Sequence, residues 1–166
     1  KINWDGSGVT YSVGNGGRLS TAWISAGGLI GPAVAAAGLF IVGKNAQRSK
    51  TALVLIGSGM LLLDLVVVRN LFGFVFVGLF GLILLFVGVK RGSEFARFVV
   101  IFIATQLSLS VFSRSDYLFT KSAGSGASDV AQMAQALWLP YWVWGIVCGG
   151  FSIAVLGLGV WQYVRR

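Results

Sequence analysis

Asp64 has the strongest claim to chemistry in this chain, because it is the one carboxylate set inside a long apolar run. An acid in hydrocarbon is costly unless it pairs, meets water or binds a cation. Two readings stay open: pairing with Arg69 or with a neighbouring helix end, or service as a metal ligand or proton site. Ser128-Asp129 stands before Val130, Met133, Ala134 and Leu137. That spacing predicts a short amphipathic helix with Asp129 near its N-terminus, where the helix dipole favours an acid. Thr105, Gln106, Ser108 and Ser110 interrupt another apolar stretch. They line a watery path or, more simply, hydrogen-bond between helices. Arg114 and Asp116 read as interfacial anchors.

What is missing narrows the chemistry further. The chain has no histidine, so it lacks the commonest general base and the commonest zinc ligand, and by itself it holds no standard zinc site. Its one cysteine, Cys148, lies in an apolar segment, which excludes a disulfide framework and points to packing.

The elements that must position these residues are membrane spans. With 56% hydrophobic and 11% charged residues and a mean hydropathy of +0.83, the chain needs lipid as its solvent. A helix crosses about 30 Å of hydrocarbon with roughly 20 apolar residues. Apolar runs of about that length cover 19–42, 51–68, 71–89, 98–112 and 137–164, which predicts an all-α polytopic membrane protein of about five transmembrane helices. Residues 1–18 form a separate segment. There Ile2, Trp4, Val9, Tyr11 and Val13 alternate around Asp5-Gly6-Ser7-Gly8, which reads as a short β-hairpin. A strand at residue 1, and a first residue Lys1 rather than Met, read as a start partway through a longer protein.

A formal charge of +8 would suggest nucleic acid in a soluble protein. Here the cations sit between apolar runs, so the charge reports topology, and no nucleic-acid partner is expected. Lys44, Arg48 and Lys50, then Lys90, Arg91 and Arg97, then Arg165 and Arg166 fall on one side of a five-span chain. The positive-inside rule places that side and the C-terminus in the cytoplasm, against the weaker votes of Arg18 and Arg69. Gly27 with Gly31, and Gly145 with Gly149, are small-xxx-small pairs suited to close helix packing. Gly27, Gly28, Gly31 and Pro32 also suggest a kink in the first span. Trp138, Tyr141, Trp142 and Trp144 at one end of the last span, and Trp161 and Tyr163 at the other, form aromatic belts.

The run over residues 4–32, WDGSGVTYSVGNGGRLSTAWISAGGLIGP, resembles a bacterial branch of the site-2 protease-like intramembrane zinc metallopeptidases. Val68-Arg69-Asn70-Leu71-Phe72-Gly73 resembles that branch's central motif. Asp116-Tyr117-Leu118-Phe119 and residues 128–144 resemble its C-terminal part. The resemblance implies a bacterial inner-membrane protein acting on transmembrane protein substrates. It implies a zinc bound by an H-E-x-x-H helix upstream of Lys1, and a hairpin in which Val9, Thr10 and Tyr11 clamp the substrate by strand addition. It also implies a third metal ligand, an aspartate after the Asn motif. Asn70-Leu71-Phe72-Gly73 matches the opening of that motif, but no Asp follows, so Asp64 and Asp129 are the carboxylates available to replace it. Neither occupies the family position. The same departure fits a second function, a non-catalytic scaffold or accessory subunit in a membrane complex. Transport of a small solute is a weaker option, since no internal repeat is visible. The hairpin of such proteases lies near the cytoplasmic face, whereas the charge pattern puts residues 1–18 outside.

Overall fold

A computed structural model describes residues 17–113, 122–123, 126–127, 129–137 and 140–165. The expected N-terminal hairpin, with Val9, Thr10 and Tyr11, lies outside the described residues. The helices are α1 (Arg18–Val42), α2 (Ala46–Val67), α3 (Leu71–Lys90), α4 (Ser93–Ser113), α5 (Asp129–Leu137) and α6 (Tyr141–Val164). Two short strands, β1 (Ser122–Ala123) and β2 (Gly126–Ala127), precede α5 and pair antiparallel, Ser122 opposite Ala127.

Among the described residues, five helices are long and apolar enough to cross a membrane: Trp23–Val42 in α1, then α2, α3, α4 and α6. The distribution of side chains supports this. Buried positions are largely small, among them Ala33, Ala36, Ala37, Ala96 and Ala104, while large apolar side chains such as Leu62, Leu65, Phe76 and Phe98 point outward. Leu71 is 81% exposed. Lipid removes the hydrophobic drive for helices to associate, so small residues at the contacts and large ones outside are expected of a multi-pass bundle.

Local chemistry explains where the helix ends differ from the hydropathy boundaries. α2 starts five residues before the apolar run because Asn45 caps it, its Oδ1 accepting from the amides of Gln47 at 2.9 Å and Arg48 at 3.1 Å. α4 likewise starts at Ser93, and its first turn carries Glu94. The expected span over 137–164 is α6, which starts at Tyr141 because Leu137 ends α5 and Pro140, with φ of −55° and ψ of 143°, stands outside the helix as its N-cap. α1 is continuous through Gly27, Gly28, Gly31 and Pro32.

The chain divides into two compact units. One takes in Val42–Val100, with α2, α3 and the first part of α4. Here α2 and α3 form an antiparallel hairpin joined by Val68, Arg69 and Asn70. Its helices approach backbone to backbone. A Cβ on Gly57 would sit 2.8 Å from the carbonyl oxygen of Gly81 and the amide nitrogen of Leu85, and one on Gly88 would sit 3.0 Å from the amide nitrogen of Val54.

The other unit takes in Gly14–Ile41 and Ile101–Arg166. Ala33 and Ala36 of α1 and Leu156 of α6 form its core, with Leu107 and Val111 of α4 packed against it. Gly159 lets α6 reach α1, since a Cβ there would lie 2.6 Å from the Cα of Ala37. Phe40 and Tyr163 pack nearby, their ring centroids 5.9 Å apart. α5 buries Val130, Met133 and Ala136, the one-sided pattern expected of an amphipathic helix, and packs on α6.

Candidate functional site

Asp64 lies on the face of α2 turned toward α3 and is only 2% exposed. Its carboxylate occupies space that α3 leaves open at Gly78, where a Cβ would come within 2.9 Å of Oδ2. Oδ1 is buried without a hydrogen-bond partner. The expected pairing with Arg69 does not form: the Arg69 side chain is exposed, and the Asp64 contact toward that end is its backbone carbonyl, accepting from the amide of Val68 at 3.2 Å. The interhelical cradle holds the acid inside the hairpin instead. Such a group offers one oxygen acceptor or one metal-donor atom.

The Asn70–Gly73 motif opens α3 at the same end of the hairpin. Asn70 is the N-cap, and its carbonyl accepts from the amide of Phe74 at 2.9 Å. Its side chain folds over the first turn, where a Cβ on Gly73 would meet Oδ1 at 2.6 Å and Val68 Cγ1 at 3.2 Å. Only glycine fits there without moving Asn70. The motif residues are therefore coupled by packing, and they build the tight turn that the two-residue gap between apolar runs requires.

Asp129 belongs to the second unit. It stands in the first turn of α5, where an acid suits the dipole, and its Oδ2 would lie 3.2 Å from a Cβ on Gly28 of α1. The carboxylate thus joins α5 to α1 across a glycine. Asp64 and Asp129 lie in different units.

A family model described as Peptidase M50B-like matches residues 1–159. The chain belongs to the Peptidase M50B-like family. No curated protein and no solved structure matches it. Membership agrees with the resemblance carried by residues 4–32 and by Asn70 with Gly73, and it makes the five apolar helices those of a site-2-protease-like membrane core.

The peptidase family implies zinc, and the residues of this chain do not complete a site for it. There is no histidine, and among the described residues no three His, Cys, Asp or Glu side chains come together. The orphaned Oδ1 of Asp64 supplies one donor atom, whereas zinc takes at least three protein ligands.

Two expectations are corrected by the side chains. The hydroxyls of α4 turn back on their own helix: Thr105 donates to the carbonyl of Ile101 at 2.9 Å, Ser108 to Ala104 at 2.8 Å and Ser110 to Leu107 at 2.7 Å. Such back-bonding satisfies them locally, so they do not link helices. Gly27 and Gly31 have no heavy atom near a Cβ position and form an open face of α1. Close backbone contacts between helices form at Gly57, Gly81, Gly88 and Gly159. Gly78 is the position at the candidate site that sequence reasoning missed; its signal was the recurrence of glycine in α3 at 73, 78, 81 and 88.

Proposed function

We propose that this chain is the membrane-embedded core of a site-2-type metalloprotease-like protein that cleaves transmembrane protein substrates in the bacterial inner membrane. The observation that carries the reading is the Peptidase M50B-like match over residues 1–159, nearly the whole chain. The zinc of such a protein is held by an H-E-x-x-H helix outside these 166 residues. Residues 1–18 act beside it as the substrate clamp, Val9, Thr10 and Tyr11 adding a strand to an unwinding substrate helix. Of the two carboxylates available as the third metal ligand, Asp64 and Asp129, Asp64 is favoured by its buried, unpartnered oxygen. The basic loops and the C-terminus face the cytoplasm.

The test is cleavage of a transmembrane reporter by the natural full-length protein in its own membrane. The expected result is a cleaved reporter in the wild type and an intact one when the H-E-x-x-H glutamate becomes Gln. A reporter that stays intact in both, with the protein present and folded, would mean a non-catalytic membrane scaffold.

A further inference from the structure

The α2–α3 hairpin is electrically lopsided. Among the described residues, one end carries one cation, Arg69. The other end gathers Lys44, Arg48 and Lys50 from α2 and the residues before it, and Lys90, Arg91 and Arg97 from the end of α3 and the start of α4. The two groups are 40 positions apart in sequence, but the glycine contact joins them, because a Cβ on Gly88 would lie 3.1 Å from the carbonyl oxygen of Lys50. Glu94, the acid at this end, is spoken for by Arg97 at 3.7 Å. The N-terminus of α2 and the C-terminus of α3 meet at this end, so their helix dipoles largely cancel and the positive potential comes from the side chains.

The surroundings select the anion. Lys90 and Arg91 are exposed, and Phe86 and Val89 in the last turns of α3 and Leu55 of α2 are exposed as well. The Arg91 guanidinium lies 5.7 Å from the centroid of the Phe86 ring, so its stem runs along apolar surface while its charge stays at the rim. A free phosphate would use the cations and leave that apolar wall unused. A phospholipid uses both.

We propose that the end of the hairpin bearing Lys50, Lys90 and Arg91 is a docking surface for the phosphate headgroup of an anionic phospholipid, with its acyl chains against Phe86, Val89 and Leu55. Basic residues at a membrane surface attract anionic lipid in this way, at about fivefold in affinity per charge, and the attraction fades within a Debye length. The surface is independent of proteolysis.

Native mass spectrometry of the purified full-length protein, titrated with phosphatidylglycerol or phosphatidylcholine, tests this directly. Phosphatidylglycerol should be retained in preference. Lys50→Gln, Lys90→Gln and Arg91→Gln combined should weaken its retention by roughly a hundredfold, three steps of about fivefold. Arg69→Gln at the opposite end should change nothing, and the charge-keeping set Lys50→Arg, Lys90→Arg, Arg91→Lys should retain the preference. If the neutralised triple variant loses its helical circular dichroism, Lys90→Gln alone carries the test, with about a fivefold loss expected. Equal retention of the two lipids would overturn the proposal, as would wild-type retention by the folded neutralised variant. Displacement of phosphatidylglycerol by inorganic phosphate would also overturn it, showing a phosphate site that does not read the lipid.

Discussion

Asp64 and Gly78 fit together by geometry, and their energies should be coupled. Gly78→Ala places a methyl 2.9 Å from Oδ2, and overpacking of that kind costs about 1–3 kcal/mol. In an Asp64→Ala background the obstruction is gone, so the same change should cost much less. A double-mutant cycle read by thermal unfolding in detergent checks this, and additive effects would contradict the cradle. Asp64→Asn keeps the shape of the side chain and breaks no ion pair, so stability should stay within about 1 kcal/mol. Reporter cleavage should nevertheless fall at least tenfold if Asp64 supplies a donor oxygen. At the turn, Gly73→Ala should destabilise by about 1–3 kcal/mol, because Asn70 must leave its place over the first turn of α3.

At the scale of elements, glycines divide into those that seat a neighbouring backbone and those that face outward. Gly57→Ala and Gly88→Ala should each cost about 1–3 kcal/mol, whereas Gly27→Ala and Gly31→Ala meet open space and should leave unfolding unchanged or slightly improved, Ala favouring helix by about 1 kcal/mol. Denaturation of the four variants in one detergent reads the contrast directly. The same division marks the limit of what the sequence makes legible. Hydropathy reveals five spans, and the Asp129, Val130, Met133 spacing reveals α5, because those signals are local and periodic. The GxxxG spacing of Gly27 and Gly31 pointed to the wrong contact, because which face of a helix meets a neighbour depends on the neighbour. Asn45 and Pro140 moved the helix ends for local reasons that a window average smooths away. The burial of Asp64 was legible as an anomaly, while its seat at Gly78 depended on the register of α2 against α3. The hydroxyls of α4 looked like interhelical donors, and back-bonding to the preceding turn was the cheaper solution.

For the whole molecule, the charges predict a sidedness. With Lys44, Arg48, Lys50, Lys90, Arg91 and Arg97 on the cytoplasmic side, cysteines introduced at exposed Lys44 and Lys90 should resist a membrane-impermeant thiol reagent in intact cells, and one at exposed Arg69 should react. The reverse pattern would invert the topology. Membership in the Peptidase M50B-like family gives the bundle its proposed task, and the 166 residues contain no histidine to bind the zinc that this proposal calls for. Zinc content of the natural full-length protein, measured by elemental analysis after purification without added metal, tests that arrangement most directly. The account predicts one zinc per chain, lost when the two histidines of the H-E-x-x-H helix are replaced by Ala. A folded protein without zinc, or with zinc indifferent to those histidines, would contradict it.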